Sequence, residues 1–157
     1  ATGKVQCTVK LSERMEELKH PKDLQQDLYV LKLKVIQAEG LAAKDTNSLG
    51  IKTASDPYVI VRLLHVPTRA GHHHGIVLGQ TEYIPQSLNP KWNETFNCRV
   101  PIDELDKKAD FELTIMDRDD KTADDLMGRV LVPVEVILQK IKPDRPTHAQ
   151  TAWFRVS

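Results

Sequence analysis

The sequence has no excess of charge of either sign, few cysteines and no long apolar run, and each shortage removes a class of function. Lys plus Arg and Asp plus Glu both total 22 in 157 residues, so a nucleic-acid binder resting on a globally basic surface is not expected. Any electrostatic function must be local. The two cysteines, Cys7 and Cys98, are too few for a disulfide framework and lack the paired spacing of a zinc site. They read as ordinary strand residues of a reducing compartment. No stretch approaches the roughly 18 apolar residues of a membrane span, so a soluble, cytoplasmic chain is expected, touching membranes only peripherally. Internal repeats are absent. No Gly-x-Ser-x-Gly elbow, Gly-x-x-x-x-Gly-Lys phosphate loop or His-Glu-x-x-His pair occurs, and catalysis is not expected.

What is present is a succession of strand-like runs between turn signals, in a length that fits one domain. From Leu28 to Ile36 the apolar Leu31, Leu33 and Val35 alternate with Lys32 and Lys34, the pattern of a half-buried antiparallel strand. Val5–Leu11, Tyr58–Leu64, Gln80–Ile84, Thr95–Val100, Phe111–Met116, Gly128–Pro133 and Ala152–Val156 are further strand candidates. Two short helices are expected, over Ser12–Lys19 and Val134–Ile141. Eight strands with few helices predict an all-β sandwich or barrel whose loops carry the function.

One loop is unusual. After an apolar strand come Asp117, Asp119, Asp120, Asp124 and Asp125. At an effective dielectric near 20, two like charges about 4 Å apart repel by roughly 4 kcal/mol, so crowding several carboxylates favours a multivalent cation among them. All-oxygen ligation in flexible geometry suits Ca²⁺ better than Mg²⁺. Aspartate is also a common turn residue, and a charge run usually faces solvent, so this loop alone leaves both readings open.

Other segments carry a resemblance. Ser55-Asp56-Pro57-Tyr58-Val59, then Leu88-Asn89-Pro90-Lys91-Trp92-Asn93-Glu94-Thr95-Phe96, then Asp117-x-Asp119 with Asp125-Leu126-Met127-Gly128, are similar to the signature segments of C2 domains, in the same order. Gly40-Leu41 and Lys44-Asp45 resemble the approach to that family's first calcium loop. The resemblance runs from about Val5 to Val156 and is nearest to the modules of protein kinase C, synaptotagmins and related exocytic proteins. It implies an eight-stranded antiparallel Greek-key β-sandwich of synaptotagmin-like topology, one domain over residues 1–157 serving a larger signalling or membrane-trafficking protein. It further implies two or three calcium ions: Asp45, Asp117 and Asp119 bridging, Asp56 and Asp125 completing the sites, and the main-chain carbonyls of Lys44 and Arg118 adding ligands. Asp120 and Asp124 match no ligand and are expected to be solvated or to lie behind the ligands, while Asn89-Pro90, Trp92 and Phe96 are expected to be scaffold. The implied partner is an anionic membrane, phosphatidylserine favoured, with a protein of the trafficking machinery as a further partner and the isolated domain a monomer. The alternative is a calcium-independent C2 module that binds proteins.

The sequence departs from the family in three places. Asp45 and Asp56 stand eleven positions apart, wider than the family's usual spacing, which makes Asp45 the least secure ligand. The insertion puts Leu49 and Ile51 near a loop tip, where, with Arg118 and Lys121, they are candidate lipid contacts. The lysine patch that holds phosphoinositides in relatives corresponds to Ile60, Arg62, Gln80 and Glu82, so weak phosphoinositide selectivity is expected. His72, His73 and His74 lie between glycines. Adjacent rings in such a hairpin rarely converge on one ion, and Val66–Leu78 is expected to be a solvated connection.

Overall fold

The computed structural model describes residues 2–13, 28–43, 45–46, 49–50, 52–67, 73–101, 109–135 and 147–157. Ten strands are found among them: β1 (Lys4–Glu13), β2 (Leu28–Glu39), β3 (Asp45–Thr46), β4 (Lys52–Ala54), β5 (Pro57–Pro67), β6 (His73–Gln80), β7 (Lys91–Pro101), β8 (Asp110–Asp117), β9 (Asp125–Pro133) and β10 (Thr147–Arg155). Eight of these build two four-stranded antiparallel sheets, ordered β10-β1-β2-β7 and β6-β5-β8-β9, and β3-β4 is a separate hairpin. The chain changes sheet between β2 and β5, β6 and β7, β7 and β8, and β9 and β10, which gives the expected eight-stranded sandwich its crossed connections.

Period-two patterning explains the two layers. In β8, Phe111, Leu113, Ile115 and Asp117 are buried while their neighbours are half-exposed. Val5, Cys7, Val9 and Leu11 of β1 face Leu31, Leu33 and Val35 of β2 across one sheet, and Val59, Val61 and Leu63 of β5 face them from the other. Trp92 and Phe96 belong to this core or pack against it, as expected. Both cysteines are free thiols in strands. Burial pushes the Cys7 thiol up to about 12 and raises that of Cys98, so neither is a reactive thiolate at neutral pH.

Several expectations are corrected. Ser12 does not cap a helix: it continues β1, paired with Val30 on one side and Thr147 on the other. Residues 14–19, and most of the second expected helix, lie outside the described residues. The stretch from Val66 to Leu78 is not one long connection, because β5 runs to Pro67 and β6 starts at His73, with His73 opposite Pro67 and His74 opposite Val66; His72 lies outside the described residues. The alternation that would have revealed β6 is erased by two register shifts against β5 and by glycines. Gly75 leaves room for the Arg62 guanidinium, which would stand 2.7 Å from an added Cβ, and Gly79 lies under the Phe96 ring. The strand expected at Gln80–Ile84 ends at Gln80. There the Thr81 hydroxyl, instead of a main-chain carbonyl, accepts the Val59 N–H at 2.9 Å and breaks the ladder.

The core account makes a simple prediction. Phe111→Ala, at a fully buried site, should cost about 3–5 kcal/mol in denaturant unfolding, whereas Leu131→Ala on the outer face of β9, 55% exposed, should change stability by less than about 1 kcal/mol.

Candidate functional site

Strand pairing brings the acidic segments to one end of the sandwich. Pro57, Asp117 and Asp125 share a cross-strand row at the ends of β5, β8 and β9, so the loop before β5 and the loop between β8 and β9 emerge side by side. Asp117 is only 2% exposed. The Asp56 N–H donates to its Oδ1 at 2.8 Å, and the Arg118 N–H donates to the Asp56 carbonyl at 3.0 Å, which lashes the two loops together. Beneath them the Trp92 indole N–H reaches the Pro57 carbonyl at 3.1 Å. Asn89-Pro90 is scaffold as expected: the Asn89 side chain accepts the Gly40 N–H at 3.0 Å, and the Pro90 carbonyl accepts the Ala38 N–H at 2.9 Å.

The loop after Asp117 organises itself around two carboxylates. Asp119 Oδ1 accepts the N–H groups of Lys121 at 2.8 Å and Thr122 at 3.2 Å, and its Oδ2 accepts the Thr122 hydroxyl at 2.8 Å. Those donors, Lys121 first, hold the Asp119 carboxyl below its ordinary range. Asp124 Oδ1 accepts the Asp119 N–H at 2.9 Å, and Oδ2 accepts the Tyr58 hydroxyl at 2.5 Å. The Tyr58 bond, then the Asp119 N–H, lowers the Asp124 carboxyl in turn. Burial first, and then the Asp124 carboxylate, push the Tyr58 phenol up to about 12. Arg118 lies 4.3 Å over the Tyr83 ring and pairs with exposed Asp120 at 2.9 Å. Tyr58, Tyr83, Arg118, Asp119 and Asp124 line an open cavity of about 320 Å³ beside the loop.

The insertion before Asp56 folds back on itself. Asp45 of β3 is the register partner of Ala54 of β4, so the hairpin returns the chain to a point two residues before Asp56. Buried Ser55 anchors the return, its hydroxyl donating to the Ala42 carbonyl at 3.1 Å and its carbonyl accepting the Ser87 N–H at 2.8 Å. Leu49 is 80% exposed. Lys44 and Ile51 lie outside the described residues, as does the Asp45 side chain.

Asp56, Asp117, Asp119 and Asp125 are thus brought near one another along the backbone, but the described side chains of Asp56, Asp117 and Asp119 are engaged in hydrogen bonds of their own. Asp56 Oδ1 accepts the Gln86 N–H at 2.7 Å, Asp119 serves its own turn, and Asp125 is exposed. Among the described residues no three His, Cys, Asp or Glu side chains are gathered as a metal-holding group. The donor set is all oxygen, which fits a hard cation chemically. Asp56 and Asp119 would have to exchange their present hydrogen bonds for it. Of its two expected placements Asp124 takes the one behind Asp119, whose N–H it accepts, and it organises the loop from there. Nothing in the sequence pairs it with Tyr58, 66 positions away, and Gln86 donates from a left-handed backbone, φ 47°, that its residue type does not announce.

Comparison with known proteins adds the following. The profile of the C2 domain family matches residues 29–155. Synaptotagmin-3 of Homo sapiens is 35% identical over 116 residues, 74% of this chain and 17% of that protein. The E3 ubiquitin-protein ligase NEDD4 of Mus musculus is 39% identical over 109 residues, 69% of this chain and 11% of that protein. The chain therefore spans less than a fifth of either relative. Among solved structures, the RIM C2 domain A from Drosophila superposes with a TM-score of 0.59 at 19% identity, covering 99% of this chain and 98% of that one. The C2 domain A of plant Extended Synaptotagmin 1 gives 0.50 at 25% identity, over 73% and 72%.

The loop's hydrogen bonds set its pH dependence. Because the folded Asp119 and Asp124 values are lowered, their contribution is fully present above the ordinary Asp value near 3.9. It disappears as pH falls through the lowered folded values. The NMR amide shifts of Asp119, Lys121 and Thr122 should therefore hold constant down to about pH 4 and move together below it. Tyr58→Phe should raise the Asp124 midpoint toward the ordinary range and leave that of Asp119 nearly unmoved.

Proposed function

The chain belongs to the C2 domain family of binding modules, and from that premise we propose that it carries a larger protein to anionic membranes in response to calcium, phosphatidylserine being the favoured lipid. The observation that supports this reading is the row of Pro57, Asp117 and Asp125 with Asp56 bonded across it, which gathers oxygen-bearing segments at one tip of a rigid sandwich. Asp117, Asp119 and Asp45 are the proposed bridging ligands, with Asp56, Asp125 and the carbonyls of Lys44 and Arg118 completing the set. Bound calcium would supply positive charge and coordination positions open to lipid phosphate.

The chain's own contribution is electrostatic. From Asp117 to Asp125 five aspartates face one arginine and one lysine, so the tip without metal opposes an anionic leaflet. Each charge near such a leaflet is worth roughly 1 kcal/mol, and two divalent ions change the tip by about four charges, enough to reverse the sign of the interaction. Arg118 and Lys121 stand on the loop, and Leu49 is exposed on the insertion; these, with Ile51, are the proposed lipid contacts. Calcium and membrane each raise affinity for the other, as linkage requires.

One observation favours a second reading. The carboxylates of Asp56, Asp119 and Asp124 are already satisfied by Gln86, Lys121, Thr122 and Tyr58, so the loops hold together without an ion, as a calcium-independent protein-binding module requires. Thermal unfolding in chelator and in calcium separates the two. Ligand that binds only the folded state raises the midpoint by mass action, so a shift of several degrees is expected, and coincident melts would select the second reading.

The double variant Asp117→Asn, Asp119→Asn tests the ligand set. An amide oxygen still accepts the Asp56 and Lys121 N–H groups, so the fold should survive by circular dichroism while calcium heats in calorimetry vanish. At physiological ionic strength the unmodified chain should sediment with phosphatidylserine vesicles in calcium and stay in solution in chelator. Equal sedimentation in both would end the calcium-dependent reading.

A further inference from the structure

The zero net charge conceals a segregation on the sandwich faces. In the sheet β10-β1-β2-β7, register places Lys4 and Lys10 of β1, Lys32 and Lys34 of β2, Lys91 and Arg99 of β7, and Arg155 of β10 on the outer face. Among the described residues Glu39 is the acid on that face, paired with Lys4 at 3.6 Å. Like charges stand directly opposite in two places, Lys10 against Lys32 and Lys4 against Arg155, an arrangement that destabilises a sheet by itself. Among the described residues no acid pairs with Lys10, Lys32, Lys34, Lys91 or Arg155. The opposite outer face is different. There Arg62 is paired with Glu112 at 3.4 Å, Ile60 stands opposite Gln80, and Val77 and Leu131 are exposed.

We propose that the outer face of β10-β1-β2-β7 is a second membrane contact, an electrostatic platform for a bilayer rich in anionic lipid that acts without calcium. The choice of a bilayer rests on the proposed membrane function, and three features support it. The cations are spread over a sheet instead of lining a cleft: from Lys4 to Lys10 alone they span about 20 Å, the geometry of a surface that meets many headgroups. The face is continuous with the acidic tip, since Lys4 and Arg155 flank Glu39 and Gly40 where β2 enters the first loop. Trp153 is partly exposed on the same face with Lys4 4.7 Å over its ring, the pairing of apolar body and wet edge that suits a membrane interface. At physiological salt the acidic tip and screening over about 8 Å hold this contact weak. When the tip charge is neutralised, the face draws the sandwich down onto the bilayer.

The experiment is vesicle binding in chelator at low ionic strength, with phosphatidylcholine alone or mixed with phosphatidylserine. The wild type should bind only the mixed vesicles and release as salt is raised. Lys10→Gln, Lys32→Gln and Lys34→Gln together should weaken that binding on the order of 100-fold, while the same three changed to Arg keep it. Brominated phosphatidylcholine in the mixed vesicles should quench Trp153, a signal that Trp153→Phe removes because Trp92 is buried. Wild-type affinity in the triple Gln variant, absence of binding in chelator, or preference for soluble polyglutamate over vesicles would each overturn the proposal. The two readings fail separately. If the wild type binds the mixed vesicles in chelator and calcium adds nothing to that binding, the calcium reading falls and the platform stands.

Discussion

A carboxylate at the buried end of a strand must find donors, because an unpaired charge out of water is far more costly than any single contact is favourable. Asp117 is that carboxylate, almost wholly buried, and the Asp56 N–H is a donor brought to it from another loop. This requirement fixes the geometry of the tip. The Asp56 backbone must turn inward, its carbonyl then receives Arg118, and its side chain is left to the 81–90 turn through Gln86. Three connections that share no strand are thereby held in one position around a single buried acceptor, and the tip acquires a shape before any ligand arrives.

The layered fold was legible because its core strands obey a strict alternation. Leu31, Leu33 and Val35 could be assigned inward from residue type alone, and so could Phe111, Leu113 and Ile115. The edge strand β6 was not legible, since an edge strand with two glycines and shifted register has no reason to alternate, and its own histidines and glycines resemble loop composition. The candidate site was legible as a set of positions and not as an arrangement. Five aspartates in one stretch announce local charge, but the direction of each carboxylate depends on which main-chain N–H groups the turn leaves unsatisfied. Asp119 turns back to Lys121 and Thr122, and Asp124 is claimed by Tyr58 from a neighbouring strand. Neither follows from residue type.

Charge is distributed in two separate regions of potential, and each makes sense of the other. A tip dominated by carboxylates next to a face dominated by lysines forms a dipole across one edge of the sandwich. Under the proposed membrane function the two ends would act in opposition against an anionic leaflet, and the net attraction would rise once the acidic end is neutralised. The balance of 22 cations and 22 anions is therefore a poor guide to the surface, whose fields are read at distances of about 8 Å and not over the whole molecule.

The insertion in the first loop illustrates how a departure in sequence can be absorbed in space. Closing a longer loop adds little entropy cost, about 0.6 kcal/mol for each doubling of length, but an unstructured insertion would still leave Asp45 free to wander from Asp56. Pairing β3 with β4 removes that freedom. With Asp45 opposite Ala54 and Ser55 fixed to Ala42 and Ser87, the backbone spanned by the extra residues leaves and re-enters at nearly the same place. The separation that matters to the site is then the two residues from Ala54 to Asp56, and the eleven positions counted along the chain are mostly hairpin. Between the two strands Leu49 stands exposed, while the base of the insertion stays tied to the frame that Asp117 requires.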